Sequence, residues 1–175
     1  MAELKRVVLT GPESTGKSAA SAYLARQFNT LWSPEYAREY LQALKRPYEW
    51  HDLYQIALGQ QSLINHYAQL CQNVLFCDTD LLTIIIWSRF KYQRLDPGIE
   101  NLFLEQKADF YLLCHIDLPW QYDPLREHPT RRQELLDQYV TALNHYQLPY
   151  ALVEGTGQNR FNSALGAARH ALKSQ

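Results

Sequence analysis

Eight consecutive residues near the start of this 175-residue chain, Gly11-Pro12-Glu13-Ser14-Thr15-Gly16-Lys17-Ser18, have the types and spacing to hold a triphosphate. In this GxxxxGKS pattern the two glycines let the backbone curl so that successive N–H groups face phosphate oxygens. Lys17 reaches the β and γ groups, and the Ser18 hydroxyl reaches Mg²⁺. An anion held this way sits on a helix N-terminus, where the unpaired amides and the helix dipole favour it. A nucleoside triphosphate with Mg²⁺ is therefore the expected ligand. Such a loop must connect a strand to a helix. Val7-Val8-Leu9 precede it, and Ala20, Tyr23, Leu24, Gln27 and Phe28 follow at helical spacing.

A second acid is needed opposite Ser18. Asp78 closes the apolar run Val74-Leu75-Phe76-Cys77, so it reads either as the Mg²⁺-associated acid or as a helix N-cap, and the phosphate loop supplies the partner that favours the first. Asp80 reads equally as a cap of the next helix or as a substrate contact. In Ser33-Pro34-Glu35-Tyr36-Ala37-Arg38, an acid, an aromatic and a cation fall together where substrate is expected. Glu35 can accept the proton of an attacking hydroxyl and Arg38 can neutralise transferred charge. The alternative is an ordinary helix start with Glu in its first turn. A proline-interrupted segment over 119–133, with Trp120, Arg126, Arg131 and Arg132, reads as an Arg-rich lid that closes on phosphate and excludes water, or as a solvated Arg-rich helix start. Thr130 and Gln133 have capping-box spacing, which predicts a helix from Arg131. Gly157, in the loop Glu154-Gly155-Thr156-Gly157, is expected against the adenine, or in a plain strand-to-helix turn.

These positions require a particular scaffold. Strands are expected at 5–10, 30–33, 74–77, 110–116 and 150–153. Helices are expected from Lys17 to about Phe28, from Glu35 to Leu44, along the stripe Leu53 to Leu70, from Arg131 through Leu143, and from 158 onward through Leu172. Strands alternating with helices predict an α/β fold: a five-stranded parallel sheet covered by helices on both faces, with ligands at the carboxyl ends of the strands. That is a P-loop NTPase fold in a single domain, 1–175.

The bulk numbers narrow the partners. Seventeen basic against eighteen acidic residues give a net charge of −1 without long runs of one sign, which disfavours nucleic acid. The longest apolar run, Leu81 to Trp87, is too short to cross a bilayer, and no signal-length apolar stretch precedes the phosphate loop. No membrane partner and no processing are expected. Cys71, Cys77 and Cys114 read as reduced buried thiols, consistent with the cytoplasm. The six histidines lack zinc-site spacing, so no structural metal is expected. Oligomeric state is left open. Asp78 is not followed by a DxxG pattern and no NKxD motif occurs, which argues against a GTPase switch.

Together, Gly-Pro-Glu-Ser-Thr-Gly-Lys-Ser at 11–18, Glu-Tyr-Ala-Arg-Glu-Tyr at 35–40, Ile-Ala-Leu-Gly-Gln at 56–60, Asp78-Thr79-Asp80, and Pro119-Trp120 followed by Asp123 and Leu125-Arg126 make the chain resemble the ribosylnicotinamide kinase domain of bifunctional bacterial NAD-biosynthesis regulators and its stand-alone relatives. The resemblance runs from end to end. It implies transfer of the ATP γ-phosphate to the 5′-hydroxyl of nicotinamide riboside, a nucleoside-like small molecule. Lys17, Glu35, Asp78 and Arg126 would serve catalysis, and Tyr36, Arg38, Asp80 and Trp120 would lie at the substrate. No adenylyltransferase or DNA-binding domain is expected, because the sequence begins at the kinase strand. In that family an aromatic residue directly before Glu-Tyr and a tyrosine late in the long helix flank the nicotinamide ring. Pro34 and His66 hold those places here, and Trp32, Tyr67, Trp87 and Trp120 are the candidate replacements. A kinase for another nucleoside or vitamin alcohol, and a nucleotide-regulated binding protein, are the alternatives.

Overall fold

The apolar runs become the interior of one sheet. The computed structural model, which describes residues 4–173, proceeds β1 (Lys5–Thr10), α1 (Lys17–Gln27), β2 (Trp32–Ser33), α2 (Tyr36–Ala43), α3 (Asp52–Leu70), β3 (Val74–Asp78), α4 (Leu81–Tyr92), α5 (Pro97–Glu105), β4 (Phe110–Cys114), α6 (Arg132–His145), β5 (Tyr150–Val153) and α7 (Gly157–Lys173). All pairings are parallel, in the order β2-β3-β1-β4-β5. In the β1–β3 register Leu9 lies opposite Asp78, so the phosphate loop leaving β1 and the acid ending β3 emerge side by side.

Alternation along each strand divides the core. Val7, Leu9, Phe76 and Leu112 pack with Ala20 and Leu24 of α1 and Ala164 and Ala168 of α7 on one face. Val8, Leu75, Tyr111 and Leu113 pack with α3, α4, α5 and α6 on the other. Both faces are thus covered, as a parallel sheet requires.

The structure differs from the sequence reading in four places. The sequence places α4 only as a helix that Asp80 could cap, without bounds, and does not show α5. α4 is buried around most of its circumference, from Leu81 through Ile86 and again at Ser88 and Phe90, so it carries no polar stripe for periodicity to find. β2 is only two residues long, and β4 stops at Cys114 rather than Ile116. The capping box does not form. Arg131, not Thr130, occupies the N-cap of α6 without a side-chain cap bond, and the Gln133 amide donates instead to Asp137 at 3.0 Å. Among the described residues no helix is long and apolar enough to cross a membrane.

Candidate active site

The phosphate loop depends on its glycines. Gly11 has φ 131°, and a Cβ there would stand 2.7 Å from the carbonyl oxygen of Cys114 on β4. Gly16 caps α1 at φ 75°, a left-handed conformation that side chains resist. Inside the loop the Thr15 hydroxyl donates to the Pro12 carbonyl at 2.8 Å. The Lys17 ammonium donates to the carbonyls of Gly11 at 2.9 Å and Pro12 at 2.8 Å.

Behind the loop lies a residue that sequence reasoning missed. Arg160 is 3% exposed, and its guanidinium donates to Thr15 O at 3.1 and 2.7 Å, to His115 O at 2.8 Å and to Gly155 O at 3.1 Å. It ties the phosphate loop to the ends of β4 and β5. A signal was available: Arg160 falls on the buried stripe of α7 with Ala164, Ala168 and Ala171, where a lone cation must find acceptors.

Asp78 sits where the β1–β3 register puts it. Ser18 Oγ donates to Asp78 Oδ2, and Asp78 Oδ1 is buried with no hydrogen-bond partner. A buried carboxylate oxygen left without a proton donor suits a cation or its water shell. Two hard oxygen groups, with no cage of three or more His, Cys, Asp or Glu side chains among the described residues, fit Mg²⁺, which keeps waters and phosphate oxygens in its shell. Burial raises the Asp78 pKa above the ordinary carboxylate value, while Lys17, the Ser18 hydroxyl and Arg38 oppose the rise. Glu35, at the turn from β2 into α2, is shifted the same way: burial first and the Asp78 charge second raise its pKa, against Lys17 and Arg38. Its position is set by the Ile56–Gln60 motif. Gln60 accepts from the Tyr36 amide at 2.8 Å and donates to Pro34 O at 3.2 Å, bracketing Glu35 from both sides.

Beyond Glu35 the cleft, about 260 Å³ in all, continues between Leu41 of α2, Thr83 and Trp87 of α4, Leu125 of the 119–133 segment, and Leu135 and Tyr139 of α6. The Tyr139 hydroxyl donates to Thr83 at 3.4 Å. Most of this end is invisible in the sequence because its residues come from four separate segments. Of the four candidate aromatic replacements, Trp87 lines it. Pro34 presents its carbonyl to Gln60, and His66 is exposed on α3, edge-on to Tyr67.

The other predicted site residues divide. Gly11 through Ser18, Glu35, Arg38, Asp78 and Arg126 line one cleft. Arg126 donates to Gln121 O at 2.6 Å and to Ser14 Oγ at 3.4 Å, and Arg38 pairs with Asp123 of the 119–133 segment at 2.9 Å. Arg132 donates to Leu118 O at 2.9 Å and to Ser14 O at 3.3 Å, beside the phosphate loop. The remainder stand outside the cleft lining. Arg131 pairs with Glu134 at 2.7 Å and lies over the Phe90 ring at 4.1 Å. Asp80 caps α4 by accepting from Leu82 N at 3.0 Å, and Tyr111 donates to its other oxygen at 2.6 Å. Burial raises its pKa to about 6. The Tyr36 ring fills the space that a side chain at Gly59 would need. Trp120 lies with Arg126 6.0 Å from its ring centroid, and Gly157 opens α7 at φ 54°.

The AAA domain family AAA_28 matches residues 6–160. The chain belongs to that family. It is homologous to the trifunctional NAD biosynthesis/regulator protein NadR, being 32% identical over 127 residues to that of Salmonella typhimurium (70% of this chain) and 29% identical over 157 residues to that of Escherichia coli K12 (86% of this chain). The chain spans only 31% and 38% of the lengths of those curated relatives. Among solved structures, a NadR protein in complex with NR superposes with a TM-score of 0.82, and one in complex with NAD and AMP-PNP with 0.81. Each is 21% identical and matches 98% of this chain and 50% of the other. Thymidylate kinase from Ehrlichia chaffeensis matches with a TM-score of 0.70 at 11% identity, covering 97% of this chain and 99% of its own. The fold is that of the P-loop kinases.

Proposed function

We propose that this domain is an ATP-dependent kinase that phosphorylates the 5′-hydroxyl of nicotinamide riboside to give nicotinamide mononucleotide. The observation that carries the reading is the placement of Glu35, a carboxyl with a raised pKa, in one cleft with a complete phosphate loop and a chamber walled by Leu41, Trp87, Leu125, Leu135 and Tyr139. The homology to NadR, and the NR bound to a NadR protein of the same fold, support the choice of acceptor.

In this mechanism the loop amides hold the β and γ phosphates, and Lys17 leaves the Gly11 and Pro12 carbonyls to meet them. Ser18 and Asp78 would hold Mg²⁺, which when bound neutralises phosphate charge. Glu35 accepts the proton of the acceptor hydroxyl as its oxygen attacks the γ-phosphorus, and the bond to the β–γ bridging oxygen breaks to release ADP. Arg38 and Arg126 flank the transferred group, Trp87 and Tyr139 wall the base, and the lid excludes water. The free thiols Cys71, Cys77 and Cys114 suit a reducing cytoplasm, although Cys71 is only half-buried.

The test is incubation of the purified chain with ATP, Mg²⁺ and nicotinamide riboside. Formation of the mononucleotide is expected. Absence of product from folded, ATP-binding protein would overturn the acceptor assignment. ADP release with another member of a nucleoside panel would then name the replacement.

A further inference from the structure

A carboxylate inside a phosphate loop is a physical puzzle, since its charge repels the ligand the loop is built to hold. The structure resolves it. Glu13 turns its side chain onto the lid, where Oε1 accepts from the Glu127 amide at 3.0 Å and Oε2 from the His128 amide at 3.1 Å. The next residue does the same on a smaller scale, the Ser14 hydroxyl accepting from the Gln121 amide at 2.9 Å. The clasped lid segment is itself tied to the loop between α2 and α3 and to α4, because Glu127 accepts from Tyr48 at 2.7 Å and from Lys91 at 2.7 Å. Leu125, two residues earlier, lines the acceptor chamber with Trp87.

We propose that Glu13 is a positioning residue that latches the lid: its carboxylate holds the 127–128 backbone over the phosphate loop, so that the lid closes on a loop shaped by triphosphate while Glu127 ties it to α4. The mechanical basis is a pair of hydrogen bonds to an ionised acceptor, the stronger kind, made between two segments separated by more than a hundred residues. Repulsion of phosphate by Glu13 is the cost, and tight exclusion of water from the transferring group is the gain. This role rests on the kinase reading given above, but the latch itself is observable without turnover.

The experiment compares the full chain with Glu13→Ala and Glu13→Gln. Residue-resolved amide exchange in the protein without nucleotide should show the 127 and 128 amides exchanging roughly tenfold faster in Glu13→Ala, the scale of losing such bonds. Glu13→Gln keeps one carbonyl acceptor at the same reach and should fall between. ATP affinity should stay equal or tighten in both variants, because a negative charge leaves the phosphate site. ADP released per mole of phosphorylated acceptor should rise, with kcat for transfer falling while KM for ATP does not increase. A residue that merely shapes the loop would instead weaken ATP binding and leave the hydrolysis-to-transfer ratio unchanged. That result, or unchanged exchange at 127 and 128, overturns the latch. Should the wild-type chain transfer phosphate to no acceptor, the kinase reading falls, and amide exchange with ATP affinity still decides the latch.

Discussion

At the phosphate end of the cleft, eight consecutive residues between β1 and α1 meet one acid from the neighbouring strand. At the acceptor end, Glu35, Arg38, Thr83, Trp87, Leu125, Leu135 and Tyr139 arrive from α2 and the turn before it, α4, the lid and α6. The first end works through backbone: curled amides, two glycines in conformations that side chains resist, and the carbonyls that hold Lys17. The second works through side chains whose spacing depends on how four elements pack. Contiguity fixes the phosphate end within one stretch of chain, whereas the other end depends on how separate elements pack. Pro34 and His66 stand outside the cleft, and Trp87 lines it.

Mutations at the two ends should therefore separate by parameter, and they can be ordered by size. Lys17→Ala should have the largest effect, lowering kcat by about 10³- to 10⁵-fold, the scale of removing a cation from a transferring phosphoryl group. A near-normal rate with any acceptor would break the assignment of the phosphate end. Glu35→Gln should lower kcat by about 10²- to 10⁴-fold and also alter the pH profile. Because burial and Asp78 raise the Glu35 pKa above 4.5, the carboxyl holds its proton to higher pH than a free glutamate. The wild-type rate should then fall as pH drops through that elevated value, and the limb should vanish in Glu35→Gln. The same shift makes ionised Glu35 a stability cost that grows as pH rises through its pKa, so thermal melts at neutral pH should show the Gln variant no less stable.

Trp87→Ala should act on the acceptor alone, raising its KM roughly tenfold if a ring stacks there while KM for ATP stays constant. An effect on ATP instead would erase the distinction between the ends. The smallest change is expected from Arg131→Ala. Its guanidinium is exposed and already paired with Glu134, so kcat should move by less than about twofold, as for most surface ion pairs. A loss of about tenfold or more would return Arg131 to the cleft.

Legibility in the sequence followed the same division. Strands β1, β3 and β5 and helices α1 and α3 were readable because each has a continuous apolar run or a clean stripe bounded by polar residues. α4 was hidden by its own burial, since an apolar run of β-branched residues has no period that distinguishes helix from strand. Thr130 and Gln133 had the right spacing for a cap, but spacing does not determine where the helix begins. Asp80 had two readings of equal weight, and the hydrogen bonds from Leu82 and Tyr111 place it at the helix cap. Arg160 and Glu13 were both visible as residues, yet their partners lie far along the chain, at Thr15 and at the 127–128 amides.

The amino-acid sequence by itself determined that this chain carries a triphosphate loop on a parallel α/β scaffold, because those features are local: a backbone path needs its glycines, and a buried strand needs its apolar run. Only the tertiary structure decided that Gln60 brackets Glu35, that Trp87 walls the chamber, that Arg160 braces the loop and that Glu13 reaches the lid. Each of those depends on distances between elements, and packing sets such distances where no spacing along the chain encodes them.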